Sequence, residues 1–213
     1  MEQRTLDTSV WAFLDALASG APTPGGGGAA AVSGAMAAAL ISMVCNLTLG
    51  RQRYADVADE MQAVLDRAEA LRAELQQLAE EDVAVFTRLS AAYKLPRVTD
   101  ADTAIRRDAI QAALKRATDV PLRTAHAAAA VLPLCPTVAE RGSQAAVSDV
   151  GVAVLLAHAA VRSALLNVDI NLRTLKDPTY IQQVRAGVDQ LTDGLGTTTE
   201  RLMALVDDKL KGA

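Results

Sequence analysis

The chain has 213 residues; 51% are hydrophobic, only 3% are aromatic, and 43 are alanine. Alanine is the strongest helix former, whereas β-sheet proteins need β-branched and aromatic residues in short alternating runs. We therefore expect no all-β fold. The net charge of −4, without a basic stripe or stacking aromatics, argues against a nucleic-acid partner. The apolar content argues against disorder.

The first half of the chain predicts three helices. The first covers about residues 9–19, and a proline- and glycine-rich break at 21–28 ends it. The second covers about 28–49, with Gly50 as its cap. The stretch 16–50 has no charged residue and is long enough to cross a membrane. Its prolines, glycines and alanines instead favour a helix buried on all sides in a bundle, so no membrane partner is expected.

The third helix has a heptad seam from Val57 to Ala92 and ends before Pro96. A fourth helix is predicted at about 103–132, with a kink at Pro121. Pro133 and Pro136 close it.

A fifth helix is predicted at about 143–175. The sixth begins with Asp177 as its N-cap, and its seam continues to Leu205. Because the linkers are short, neighbouring helices should be antiparallel. The sequence therefore predicts an all-α fold, a single-domain antiparallel bundle of about six helices over residues 1–213.

Cysteine and histidine usage bears on redox compartment and metals. Cys45 and Cys135 lie in apolar surroundings and are predicted to be packed, reduced thiols of a cytoplasmic protein. Two histidines are too few for most zinc sites, so no metal is expected. Residues 1–7 are polar and do not resemble a secretory signal.

Asp82 interrupts the apolar seam of the third helix. A buried carboxylate must be paired, hydrogen-bonded, hydrated or protonated. Two interpretations remain open at this point: a specificity device near a solvated edge, or a carboxylate whose raised pKa suits a general base.

Other polar residues at core-like positions are ambiguous. His158 lies on an apolar stripe, as satisfied core histidines often do. Asn167 and Asn171 share one helix face and either hold a polar ligand or bond to the next helix. Asn46 ends the uncharged helix, and Ser148-Asp149 is either a helix cap or an acid in a cleft.

The glycine run Gly25–Gly28 leads directly into a helix, a place where free N–H groups favour anions or carbonyl oxygens. A flexible turn is the simpler interpretation. The run does not match the phosphate-binding P-loop or the dinucleotide-binding GxGxxG pattern.

Several blocks together resemble the cyclodeaminase/cyclohydrolase family. This family includes stand-alone methenyltetrahydrofolate cyclohydrolases and the C-terminal domain of formiminotransferase-cyclodeaminase. In chain order the blocks are Phe13–Ser19, Pro22–Gly27, Ser42–Gly50, Asp82–Phe86, Tyr93–Pro96, Val120–Leu122, Ser148-Asp149 and Leu166–Leu172. They cover roughly residues 9–182.

The resemblance implies an all-helical homodimer or larger oligomer that acts on a tetrahydrofolate one-carbon adduct without a metal or further cofactor. It implies that Asp82, which matches the aspartate of the family's Asp-x-x-x-Phe block, is the catalytic carboxylate. The folate cleft would be lined by Pro24, Gly25, Gly26, Gly27, Asn46, Lys94, Asp149, Asn167 and Asn171. Arg51, Arg53 and Lys94 are candidates for the glutamate tail.

Two positions depart from the family pattern. Many relatives have serine where this chain has Gly28, and asparagine where Ser143 follows Gly142. The expected activity is hydrolysis of 5,10-methenyltetrahydrofolate to 10-formyltetrahydrofolate. The alternatives are a formimidoyltetrahydrofolate cyclodeaminase, disfavoured because no fused transferase domain is present, and a non-catalytic folate-binding or scaffold bundle.

Overall fold

The computed structural model describes residues 8–212, so the expectation about the segment 1–7 lies outside the described residues. The described chain contains no strand and is built from α-helices joined by short connections. The helices are α1 (Val10–Ala18), α2 (Gly26–Thr48), α3 (Ala58–Tyr93), α4 (Asp100–Ala129), α5 (Cys135–Arg141), α6 (Val147–Leu172), α7 (Pro178–Thr192) and α8 (Leu195–Lys211). Short 3₁₀ turns occupy Gln52–Val57, Leu132–Leu134 and Gln144–Ala146. The predicted all-α fold is confirmed.

Six of these helices have 15 or more residues, and α1 and α5 are short. The boundaries differ from the prediction in two places. The predicted sixth helix is two helices, because Gly194 takes a left-handed conformation (φ 67°) that ends the helical path. Pro136 was expected only to close the fourth helix, but it occupies the first turn of α5, where its missing N–H is harmless.

Several end signals are confirmed. Gly50 directly follows Leu49, the C-cap residue of α2, and has a left-handed φ of 74°. The Asp177 side chain caps α7 by accepting a hydrogen bond of 3.1 Å from the Tyr180 N–H. The cap interpretation of Ser148-Asp149 is wrong: the α6 N-cap is Ala146, and Ser148 and Asp149 lie inside the first turn.

Helices α2 and α3 are antiparallel, as predicted. A Cβ placed on Gly34 would lie 3.0 Å from Leu75, and one placed on Gly27 would strike Asp82. Seven residues forward on α2 thus correspond to seven residues backward on α3. The small residues of α2 allow this close approach, and Leu71, Leu75 and Leu78 of the predicted seam are fully or almost fully buried.

Helices α4 and α6 complete the core around α2. Arg123 of α4 donates to Glu81 of α3 at 2.6 Å, which puts the C-terminal third of α4 at the level of Asp82. At the other end of the bundle, the Ser143 N–H, just before α6, donates to Thr48 at 2.8 Å. Helix α6 is therefore antiparallel to α2.

Helix α2 is not buried on all sides, contrary to the prediction. One face packs on α3, α4 and α6, but Met36, Met43 and Leu47 are exposed. The neighbouring helix α6 exposes Val152, Leu155, Leu166 and Ile170. The uncharged, alanine-rich composition of α2 predicts burial, but it carries no polar face that would show which side of the helix is open.

Two segments, Gly26–Thr48 and Gln144–Leu172, are long and apolar enough to cross a membrane by length and composition alone. In the apolar 18-residue stretch of each segment, 61% and 50% of the residues are buried inside the bundle. A core helix of a bundle satisfies the same criterion.

Candidate active site

The first turn of α2 and the middle of α3 form the centre of the candidate site. Gly25 is the N-cap of α2 and provides no side-chain cap. In its place, the Asp82 carboxylate accepts a hydrogen bond from the N–H of Gly28, the third residue of the helix. A carboxylate from another helix therefore fills the position that an N-cap side chain usually takes, where the helix dipole favours negative charge.

This contact requires glycine at position 27. A Cβ on Gly27 would lie 2.6 Å from Asp82 Cγ and 2.8 Å from Oδ2, so any side chain there displaces the carboxylate. A Cβ on Gly28 would meet only ordinary contacts, 3.7 Å from Pro24 Cβ and 3.9 Å from Asp82 Oδ2. Pro24, which precedes the glycine run, is itself buried. The glycine run is thus a fitted surface for Asp82 rather than only a flexible turn.

Burial raises the pKa of the Asp82 carboxyl above its ordinary value, and the hydrogen bond from Gly28 partly opposes this shift. Desolvation destabilises the charged form, whereas the N–H stabilises it. The carboxylate therefore holds a proton more tightly than an exposed aspartate does, which suits a group that takes up and returns a proton.

Asn167 joins the site from α6. A Cβ on Gly26 would lie 3.6–3.7 Å from the two amide atoms of Asn167, so this side chain lies against the start of α2. Its Nδ2 donates to the carbonyl oxygen of Ser163 at 3.0 Å. Among the described residues nothing donates to its Oδ1, which leaves an acceptor beside the glycine turn.

Asn171 is occupied by a structural bond. Its Nδ2 donates to the carbonyl oxygen of Ala117 on α4 at 2.7 Å. That carbonyl is four residues before Pro121, which has no N–H to complete the helical ladder. Asn171 therefore supplies the donor that Pro121 cannot. A bond to the next helix was one of the two interpretations left open from the sequence, but the helix that Asn171 contacts is α4, which precedes α6 in the chain.

Asn46 and Asp149 lie at the other end of the bundle. Asn46 is twenty residues beyond Gly26, which corresponds to about 30 Å along α2. Asp149 is half-buried in the first turn of α6, and α6 is antiparallel to α2. Within one chain the structure does not bring these two predicted residues to Asp82. The same separation applies to the exposed Arg51 and Arg53.

Lys94 and His158 are also apart from Asp82. Lys94 is the exposed C-cap of α3, twelve residues or about 18 Å along the helix from Asp82. His158 is half-buried near the middle of α6. The two thiols, Cys45 and Cys135, are free and buried as predicted, and burial raises the pKa of each, to about 11 and about 12.

Phe86 was not predicted as a site residue. It lies one turn beyond Asp82 on the same face of α3, and 40% of its surface is exposed. The available signal was its spacing of four from Asp82, in a chain with only six aromatic residues.

Within residues 8–212 no group of three or more His, Cys, Asp or Glu side chains is close enough to hold a metal ion. The absence of a metal from the reaction stays a prediction.

Comparison with known proteins identifies the family. The formiminotransferase-cyclodeaminase family model matches residues 9–190. The chain is 46% identical to a methenyltetrahydrofolate cyclohydrolase of Methylorubrum extorquens over 93% of this chain and 95% of that protein. It is 32% identical to formimidoyltransferase-cyclodeaminase of Rattus norvegicus over 89% of this chain, but over only 35% of that protein.

A solved structure shares the fold. The formiminotetrahydrofolate cyclodeaminase of Thermotoga maritima superposes with a TM-score of 0.84 at 29% identity, covering 96% of this chain and 98% of that chain. Together with the family match and the ordered blocks around Asp82, this shows that the chain belongs to the formiminotransferase-cyclodeaminase family.

Proposed function

We propose that this protein is a methenyltetrahydrofolate cyclohydrolase that converts 5,10-methenyltetrahydrofolate into 10-formyltetrahydrofolate. The observation that carries the proposal is the Asp82 carboxylate held against the glycine N-terminus of α2. It is supported by 46% identity to a cyclohydrolase along nearly the whole of both chains. The length of the chain does not distinguish a cyclohydrolase from a cyclodeaminase, because the Thermotoga cyclodeaminase is matched over 98% of its own length.

The reaction needs a group that takes and returns a proton. The bridging carbon of the substrate is part of a cationic amidinium and is already electrophilic. Asp82 accepts a proton from water as the oxygen bonds to this carbon. The protonated Asp82 then donates to N5 as the C–N5 bond breaks, and the former water hydroxyl returns its proton to the carboxylate. One proton is released overall, and the formyl group stays on N10.

The surroundings of Asp82 suit both steps. The raised pKa favours holding the proton between the two transfers. Before the first transfer, the negative charge stabilises the cationic substrate. The free Oδ1 of Asn167 is an acceptor for a ring N–H of the substrate or for the attacking water.

A spectrophotometric assay tests this proposal. The purified protein is mixed with 5,10-methenyltetrahydrofolate, and loss of the methenyl absorption is compared with the buffer rate. We expect acceleration that Asp82→Asn lowers by at least about a hundredfold, the usual range for a lost general base. Glu81→Gln is the matched control, because Glu81 is the adjacent carboxylate but pairs with Arg123. Full activity of Asp82→Asn refutes the assignment.

Ring closure of 5-formimidoyltetrahydrofolate with release of ammonia is the second candidate, favoured by the fold match to the Thermotoga cyclodeaminase. An ammonia-release assay on the same preparations separates the two activities. Folate binding without turnover in either assay would support the non-catalytic alternative.

The exposed apolar faces of α2 and α6 support a homodimer. They present Met36, Met43, Leu47, Val152, Leu155, Leu166 and Ile170 to solvent. Helix α1 adds Trp11, 75% exposed, and has no buried residue. Contiguous apolar surface of this kind marks an interaction surface, and a second copy can cover it with the same residues through a two-fold axis.

Such a dimer also resolves the distance between the predicted cleft residues. A two-fold axis near the middle of α2 pairs this helix antiparallel with its counterpart. The Asn46–Asp149 end of one subunit then lies near the Gly27–Asp82 end of the other. In this arrangement each folate cleft is completed by the partner subunit.

Mixing two impaired variants tests the shared cleft. Asp82→Asn and Asn46→Ala are each expected to be impaired as pure dimers. When the two variants are refolded together in equal amounts, random pairing makes half of the dimers mixed. Each mixed dimer has one intact cleft out of two, so about a quarter of the wild-type activity returns. No recovery, or full activity of Asn46→Ala alone, contradicts sharing. Sedimentation of wild type against Met43→Asp tests the dimer itself.

We further propose that the enzyme works in the cytoplasm without a metal, a further cofactor or a membrane. The chemistry above uses only a carboxylate, water and a substrate that is already activated. Undiminished turnover in chelator, and recovery of activity in the soluble fraction after cell lysis, are the expected results.

A further inference from the structure

Asp82 and Phe86 are four residues apart on α3. Residues four apart on a helix lie on the same face, about 5–6 Å between Cβ atoms. The aliphatic members of this face are covered: Leu78 is fully buried and Leu89 is 8% exposed. Phe86 lies between Asp82 and Leu89 and is nevertheless 40% exposed.

The antiparallel register explains why Phe86 is uncovered. Gly34 is opposite Leu75 and Gly27 is opposite Asp82. Helix α2 starts at Gly26, so it covers α3 up to Asp82 and no further. Val85 and Leu89 also lie beyond this edge but are only 8% exposed, so Phe86 is the first large side chain there that stays open to solvent, one helical turn from Asp82.

A solvated phenyl ring beside a carboxylate suits a flat, positively charged ring. An aromatic face attracts a cation through its quadrupole, and it stacks on planar groups. The proposed substrate has these properties at its reacting end, because the bridging carbon belongs to a planar cationic ring. Asp82 attracts the same charge from one turn away.

We propose that Phe86 is the platform on which the cationic ring of the substrate stacks, so that the bridging carbon is held within reach of Asp82. This inference rests on the proposed function. Phe86 then positions the substrate and gives the site a preference between two forms of the folate. The preferred form is the ring-closed one, whose ring is positively charged, and the other is the ring-opened form, whose ring is not.

The platform predicts a particular kinetic signature. Attack by water removes the positive charge from the ring, so stacking is stronger with the bound substrate than with the transition state. Loss of the phenyl ring should therefore raise KM much more than it lowers kcat. For Phe86→Leu we expect KM to rise about tenfold with kcat within about threefold of wild type, whereas Phe86→Tyr should retain the wild-type KM.

Tyr93→Leu is the matched control. Tyr93 is on α3, is exposed to a similar extent, and its ring contacts Arg106 rather than Asp82. It should leave KM unchanged. Circular dichroism shows whether each variant is folded. An unchanged KM in folded Phe86→Leu, or an equal rise in Tyr93→Leu, overturns the platform while the cyclohydrolase assignment stands.

A binding measurement separates the platform from the proposed reaction. Trp11→Phe removes the natural tryptophan, and Phe86→Trp in that background places the only indole at the platform. Its fluorescence should be quenched by 5,10-methenyltetrahydrofolate at lower concentration than by tetrahydrofolate, whose ring system carries no positive charge. Quenching with this preference supports the platform even if no hydrolysis is found, and no quenching by either folate refutes it.

Discussion

Replacement of Asn171 by alanine is expected to destabilise the protein because it leaves the carbonyl oxygen of Ala117 without a donor. The bond from Asn171 Nδ2 is 2.7 Å long, and Pro121 provides no alternative N–H. An unsatisfied buried backbone acceptor costs about 1–3 kcal/mol. The higher helix propensity of alanine offsets about 0.5 kcal/mol, so the net loss in the free energy of unfolding should be about 0.5–2.5 kcal/mol.

The physical reason can be tested with a double-mutant cycle. In Pro121→Ala the new N–H at position 121 can donate to Ala117 through the ordinary helical bond. Removing Asn171 in that background should cost less than about 0.5 kcal/mol, because the carbonyl already has a donor. The coupling energy between positions 121 and 171 should therefore be about 1 kcal/mol, whatever Pro121→Ala costs by itself.

Urea unfolding followed by far-ultraviolet circular dichroism measures all four proteins. One fixed concentration is used, because the apparent stability of the proposed dimer would depend on concentration. Asn171→Asp provides a second variant: it keeps the shape but replaces the donor with an acceptor, so it should be at least as unstable as Asn171→Ala. Equal costs of Asn171→Ala in the wild-type and Pro121→Ala backgrounds refute the reasoning. Turnover of the double variant shows whether Asn171 also contacts the substrate.

Gly27→Ala should lose most turnover, because its Cβ displaces the Asp82 carboxylate. Gly28→Ala should keep its turnover, because a Cβ there meets only ordinary contacts. Equal activities of the two variants contradict the interpretation that the glycine run is fitted to Asp82. The pKa of Asp82 is raised in the folded state, so the folded protein binds this proton more tightly than the unfolded chain does. The contribution of protonated Asp82 to the free energy of unfolding is therefore present below the unfolded pKa, and it is lost as pH rises through the folded pKa. Asp82→Asn should accordingly be at least as stable as wild type at pH 7, with an advantage that shrinks on acidification, and denaturant midpoints from pH 4 to 8 check this. Asp177→Ala removes the α7 cap and the 2.7 Å contact with Lys115, so it should lower the urea midpoint in the same unfolding assay, and an unchanged midpoint contradicts the capping role.

Much of the local structure follows from sequence alone. The seam from Val57 to Ala92 predicts α3 almost to its last residue, because apolar residues at steps of three and four fit only one helix face. Asp82 is conspicuous there because a carboxylate interrupts that face. The break at Gly194 was missed, since the apolar spacing continues across it and conceals the change of direction.

The candidate site was predictable in part. The glycine turn, Asp82 and Asn167 are brought together, as the resemblance implies. Asn46, Asp149 and Lys94 are not, within one chain. Helix periodicity determines which face a residue occupies, whereas the length of α2, about 30 Å between Gly26 and Asn46, keeps the residues at its two ends apart within one chain.

The sequence by itself determined the helical fold, the buried seam of α3 and the unusual position of Asp82, but not the open face of α2. Only the tertiary structure decided which helix ends come together: that α2 starts opposite Asp82, and that Asn171 completes the bond missing at Pro121. Local propensity and periodicity act over a few residues, and they specify each helix separately. The register between helices far apart in the chain depends on the packing of small residues such as Gly27 and Gly34 against specific partners.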